Sequence, residues 1–188
     1  FRQMDFALSA VGLVVIFSFL WRMIHDPIEG SWKDISGTCA AALYIGVPIA
    51  LMIDLFLQGN QGKIWLGFML TTVWATDSGA YLFGKNFGKQ KLHQRLSPNK
   101  TVEGAFGGII AAYIPLIIGF ILFPNTIGSH SVIILVLLST ILAVLIEVGD
   151  MAESLLKRDA GVKDSGRVLP GHGGALDRMD SMLFVCVP

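Results

Sequence analysis

Charge is the scarcest resource in this 188-residue chain. Only 15% of its residues are Asp, Glu, Lys or Arg, where a soluble domain carries about 25%. That shortage, with 53% hydrophobic residues and a mean hydropathy of +0.65, argues against an ordinary soluble domain and for a bilayer. Net charge is zero, so nothing in the balance points to nucleic acid. Cysteine is nearly absent. Cys39 and Cys186 both stand in apolar stretches, which disfavours a disulfide, a metal pair or a catalytic thiol and fits reduced side chains in lipid. No repeat, low-complexity segment or linker interrupts the chain, which reads as one domain over 1–188. No basic segment with a cleavage site precedes the first apolar run, so no signal peptide is expected. The chain starts at Phe1 and stops at Pro188 after the apolar run Met182 to Val187, which predicts truncation at both ends.

What the chain does have is long apolar runs. A spanning helix needs about 20 mainly apolar residues. Five stretches meet or approach this: Phe6 to Ile24, Ile35 to Leu57, Ile64 to Phe83, Ala105 to Phe123 and Ser131 to Val148. A sixth starts near Met179 and is cut short. The expected fold is all-α: a polytopic transmembrane protein of five helices plus a truncated sixth. Pro115, Gly104, Gly107 and Gly108 read as membrane packing residues more readily than as a kink.

Basic residues are unevenly placed. The loops after the first, third and fifth stretches hold Arg22 and Lys33; Lys85, Lys89, Lys91, Arg95 and Lys100; then Lys157, Arg158, Lys163, Arg167 and Arg178. The opposite side holds Arg2 and Lys63. Lys and Arg in short loops favour the cytoplasmic face, so the polar loops 85–104 and 150–178 are expected there.

The segment from Glu147 to Asp180 carries seven of the fourteen carboxylates: Glu147, Asp150, Glu153, Asp159, Asp164, Asp177 and Asp180. Glu147, Asp150, Ser154 and Lys157 follow helical spacing and share a face if the fifth helix continues past the membrane. Asp177 and Asp180 share one if the sixth helix starts there. Carboxylates brought together near hydrocarbon repel one another. A hard divalent cation relieves this, and so does a lattice of salt bridges with Lys157, Arg158 and Arg178; spacing alone does not choose. Between the two helices, Gly171, His172, Gly173 and Gly174 form either a phosphate cradle or a flexible turn.

Two other places stand out. Ser97, Pro98, Asn99, Lys100, Thr101, Val102, Glu103 and Gly104 read first as a turn and a helix start, with Thr101 as cap and Glu103 at the positive end of the dipole. Phosphate donation by Lys100 and Thr101 is the second reading. Asp77 lies inside the third apolar stretch, where a carboxylate is costly and marks function, unless the helix ends near Thr76. Trp74 and Tyr81 suit interface anchors.

The run Ser154 to Asp180, SLLKRDAGVKDSGRVLPGHGGALDRMD, resembles the signature of the phosphatidate cytidylyltransferases. Ser154, Lys157, Arg158, Lys163, Asp164, Gly166, Leu169, Pro170, His172, Gly173, Gly174, Asp177, Arg178 and Asp180 match at the family spacing, and Ala175 departs from it. WATDSGAYLFGK and SPNKTVEGAFGG are similar to two further family motifs, so the resemblance covers about the last 115 residues. It implies Mg²⁺-dependent attack by phosphatidate on the α-phosphorus of CTP, giving CDP-diacylglycerol and pyrophosphate, with room for a second cation. It implies that Asp150, Asp177 and Asp180 hold metal, with Asp77 beside them, and that Asp150, Lys157, Asp177 and Asp180 carry the chemistry. Ser97, Asn99, Lys100, Thr101, Glu103, Ser154, Arg158, Lys163, Asp164, His172, Gly173, Gly174 and Arg178 bind the substrates on this reading. The implied setting is a bacterial cell membrane with the site facing the cytoplasm. Membrane lipids surround it; nucleic acid has no part, and a homodimer is compatible. The rivals are a CTP-dependent polyprenol kinase, against which the full Ser154 to Asp180 match argues, and a cation channel or transporter. Charges gathered on one side speak against a channel.

Overall fold

The computed structural model describes residues 2–25, 28–94, 96–162, 165–166, 174 and 176–186, with the backbone alone for 2–8 and 178. Each of the five apolar stretches falls in helix. The first forms α1 (Arg2–His25). The second forms α2 (Ser31–Ala41), a wide π-helical turn over Ala42–Gly46, and α3 (Val47–Leu57). The wide turn lies just ahead of Pro48. A proline has no N–H to offer the carbonyl four residues back, here that of Tyr44, and its ring crowds that carbonyl. Gly59, at φ +82°, then reverses the chain into α4 (Asn60–Phe87).

The fourth stretch is split into α5 (Val102–Ala111) and α6 (Tyr113–Leu122). The break at Ala112 sits three residues before Pro115, so proline does interrupt this helix. The glycines serve packing, as expected. A Cβ on Gly107 would stand 2.3 Å from the Cβ of Phe83, and one on Gly79 would stand 2.4 Å from the Cβ of Ala111. Helices α4 and α5 therefore meet along a seam that tolerates no larger residue. The fifth stretch forms α7 (Val132–Asp159), and a short α8 (Asp180–Val185) follows a 3₁₀ turn at Leu176–Arg178.

The chain is mostly helical, but the all-α expectation needs one correction. The segment read as a plain polar loop contains an antiparallel hairpin, β1 (Lys91–His93) and β2 (Ser97–Thr101), with Lys91 opposite Thr101 and His93 opposite Ser97. Both strands are ribbon edges, which is why Pro98 is tolerated. Three and five mainly polar residues give no alternating apolar signal to read.

Among the described residues, three helical segments are long and apolar enough to cross a membrane: Ser31–Leu57, Val102–Leu122 and Val132–Asp159. Helix α7 explains why water is the wrong solvent. Leu135, Ser139, Leu142, Ala143 and Ile146 are buried on its inner face, yet Ile133, Leu137, Ile141, Val144 and Val148 lie exposed on the outer one. A helix apolar all round has no face for water. Phe68, Val73, Leu116, Ile127, Leu135, Leu142, Ile146 and Val185 form the core between α4, α6, α7 and α8.

Candidate active site

A polar cavity of about 640 Å³ opens where α4 ends, α5 begins, α7 ends and α8 begins. The alternation of helix directions brings these four ends together. Asp77, Ala80, Tyr81 and Gly84 line it from one face of α4. Asp77 is no helix-end residue, since α4 runs ten residues further. It borders the cavity with Lys100, Glu147 and Asp150 as neighbours. Tyr81 also lines the cavity, with the Lys85 ammonium 5.8 Å from its ring centre.

The hairpin delivers Asn99, Lys100 and Thr101 to the cavity wall. Thr101 caps α5, accepting from the Gly104 N–H at 3.1 Å. Glu103 accepts from the N–H groups of Lys89 and Gln90 at 3.0–3.3 Å and does not line the cavity; nor does Ser97. Lys100 reaches across to α7. Its Nζ lies 2.7 Å from Glu147 Oε2 and 2.7 Å from Asp150 Oδ2. Burial alone would lower the pKa of this ammonium, but Glu147 and Asp150 outweigh it and hold the pKa above the ordinary lysine value.

Glu147, Asp150 and Lys157 line the cavity from α7, whereas Ser154 and Arg158 do not. The residue that sequence reasoning left without a role is Glu153. It is fully buried and pairs through Oε2 with Lys157, while its Oε1 accepts no hydrogen bond among the described residues. Carboxylate oxygens of Asp150, Glu153 and Asp180 lie within 4.8 Å of one another. The available signal was the i, i+3, i+7 spacing of Asp150, Glu153 and Lys157. Three hard oxygen donors, one carrying a buried orphan atom, suit a divalent cation.

Asp177 lines the same cavity but stands outside that trio. It accepts from Lys157 Nζ at 2.8 Å, Gly174 N–H at 2.7 Å, and the N–H and hydroxyl of Ser165 at 3.0 and 2.9 Å. Burial works to raise its pKa, yet these hydrogen bonds win and hold the carboxyl well below the usual range. Lys157 thus links α7 to the segment before α8, through Glu153 on one side and Asp177 on the other. Gly149 permits this closeness: a Cβ there would lie 3.1 Å from Asp180 O and 3.1 Å from Phe184 Cβ. Lys163, Asp164, His172 and Gly173 lie outside the described residues, as does the side chain of Arg178.

The profile described as the cytidylyltransferase family matches residues 1–187. The chain is 39% identical over 183 residues to the phosphatidate cytidylyltransferase of Bacillus subtilis, covering 97% of this chain and 65% of that protein. It is 42% identical over 177 residues to the enzyme of that name from Staphylococcus epidermidis, covering 93% of this chain and 65% of the relative. The one from Staphylococcus saprophyticus is 41% identical over 173 residues, covering 92% and 64%. The chain thus spans about 65% of the length of the curated relatives it matches. With the profile met from residue 1 to 187 and an acidic, lysine-bridged cavity at the shared helix ends, this chain belongs to the cytidylyltransferase family.

Proposed function

We propose that the full-length protein transfers the cytidylyl group of CTP to phosphatidate, giving CDP-diacylglycerol and pyrophosphate. The observation that carries the reading is the cavity in which Asp150, Glu153 and Asp180 gather beside Lys100 and Lys157, in a chain whose relatives bear that enzyme's name. An oxygen of the lipid phosphate forms a bond to the α-phosphorus of CTP, and the bond from that phosphorus to the bridging oxygen of the β-phosphate breaks. Both reactants are anionic, so positioning and charge neutralisation dominate the barrier. Asp150, Glu153 and Asp180 are the residues that would hold a Mg²⁺ ion, with Asp77 and Asp177 lining the same cavity for a second cation. Bound there, the ion supplies charge neutralisation to the polyphosphate.

The chain's own groups do the rest. Lys100 and Lys157 present ammonium groups to phosphate oxygens, as do Arg158, Lys163 and Arg178 in the family reading. Asn99 and Thr101 offer hydrogen bonds from the hairpin wall, and in the family reading Gly173, Gly174 and His172 belong to the phosphate loop. No covalent nucleophile is required. The site faces the cytoplasm on this reading, in line with the Lys and Arg bias of the loops on that side. The lipid reaches it sideways from the bilayer, because drawing its acyl chains into water would cost about 0.8 kcal/mol per methylene.

The test uses full-length protein with phosphatidate and CTP labelled at either the α- or the γ-phosphorus, with and without Mg²⁺. Label from the α-position in the lipid product, dependent on Mg²⁺, is the expected result. Label from the γ-position would establish a lipid kinase instead. Cation flux in liposomes without nucleotide turnover would replace the enzyme by a channel.

A further inference from the structure

An apolar groove of about 650 Å³ runs along the outside of the α7–α8 seam. Leu43, Val47 and Pro48 form one wall, and Leu145, Leu183 and Phe184 form the other. It is separate from the polar cavity but built on the same two helices. Leu145 lies two residues before Glu147, and Phe184 lies one turn after Asp180. Tyr44, from the π-helical turn, stands where the two spaces approach. Its ring lines the groove and meets Phe184 edge-on, with centroids 5.9 Å apart. Its hydroxyl is buried without a hydrogen-bond partner among the described residues and lies within electrostatic reach of Asp180, Glu153 and Lys157.

A buried hydroxyl left without a partner forfeits a hydrogen bond that its surroundings cannot replace. Tyr44 lies within the wide turn, and such turns concentrate at functional sites. One end of an apolar slot thus adjoins a polar, cation-competent centre, with an unused donor at the junction. An occupant must be apolar along its length and must carry oxygen acceptors and a phosphate at one end.

We infer that this groove seats an acyl chain of the phosphate-bearing glycerolipid consumed at the acidic centre, with the Tyr44 hydroxyl donating to an oxygen of its glycerophosphate. The inference rests on the proposed reaction for the identity of that lipid. It adds a place and a residue that the chemistry alone does not require. The walls, being apolar, read chain length and packing, whereas Tyr44 reads the head.

The experiment uses full-length protein in phosphatidylcholine vesicles and a phosphatidate carrying a diazirine in one acyl chain. After irradiation, labelled peptides are mapped by mass spectrometry. Label should fall in residues 40–48 and 183–184. Excess unlabelled phosphatidate should suppress it, and phosphatidylcholine with the same chains should not. Equal suppression by phosphatidylcholine would make the groove a seat for bulk lipid and overturn the inference. Label confined to other segments, including those outside this chain, would overturn it too. Labelling reads binding without turnover, so loss of cytidylyl transfer in the parallel assay would strike the reaction and leave this result standing. In kinetics, Leu43→Trp should fill the groove and raise KM for long-chain phosphatidate by about tenfold, with KM for the dihexanoyl lipid nearly unchanged. Tyr44→Phe should raise KM for both lipids several-fold while KM for CTP stays within about twofold. An unchanged long-chain KM in Leu43→Trp would overturn the groove, and an unchanged lipid KM in Tyr44→Phe would overturn the hydroxyl's part.

Discussion

Replacing Lys100 with methionine removes a side chain that ties the hairpin to two carboxylates of α7. Each ammonium–carboxylate contact, at 2.7 Å, is worth about 6 kcal/mol of Coulomb energy at an effective dielectric of 20, before desolvation is subtracted. Desolvation takes back most of that, so the cost of removal is better judged from what is left behind. The Glu147 side chain is only 11% exposed and would lose its cationic partner, whereas Asp150 at 34% can still be solvated. Breaking one side of a buried pair costs about 3–5 kcal/mol, against at most about 1 kcal/mol for a surface pair. For a protein of this size that range is a fall in Tm of roughly 6–20 °C. Thermal unfolding of the metal-free full-length protein in detergent reads it directly. Lys100→Met with Glu147→Gln should recover much of the loss, because no uncompensated charge then remains at position 147. The pH dependence has a definite sign. A folded-state pKa raised above the unfolded value gives stability that is fully present below the unfolded pKa and is lost as pH climbs through the folded one. For Lys100 that loss begins only above the ordinary lysine value of 10.5, so the deficit should be equal at pH 6 and pH 8. A fall of less than about 2 °C, or no recovery in the double variant, would refute the picture of Lys100 as a buried counterion.

Three other outcomes are expected. Asp177→Asn and Asp180→Asn should each abolish cytidylyl transfer while the protein stays folded in detergent; near-normal turnover in either removes that residue from the machinery. Gly107→Ala should destabilise the protein by about 1–3 kcal/mol, because its new methyl must displace the Phe83 side chain, and wild-type stability would disprove the tight α4–α5 seam. Single cysteines at Gln90 and Ser165, in a background lacking Cys39 and Cys186, should be labelled by an impermeant reagent from the same side of the membrane. Opposite sides would overturn the shared-face arrangement.

The apolar stretches were legible because hydrophobic length is a property of contiguous residues, and all five fell in helix. The face shared by Glu147, Asp150 and Lys157 was legible for a related reason: helical spacing fixes direction once the helix is known to continue. The same spacing sets Glu153 beside Asp150 and Lys157, but it does not show the complete burial that gives Glu153 its importance, which depends on Gly149 admitting α8. The hairpin escaped notice because its strands are short and polar. Tyr44 could not be connected to Asp180 from the chain alone, since well over a hundred residues separate them. The Pro115 break is masked by the even hydrophobicity of its stretch, though the missing N–H of proline is sufficient reason for it.

Lys100 and Lys157 also bear on how such a protein comes to be made. A nascent chain inserting into a bilayer brings its acidic residues together before it has met any substrate. Left to themselves, Glu147, Asp150, Glu153 and Asp180 would push α7 and α8 apart. The two lysines act as resident counterions, so the helices can assemble in the empty state and wait. On the proposed reaction, binding becomes an exchange of partners at a finished site, with Lys100 freed from Asp150 to meet an incoming phosphate.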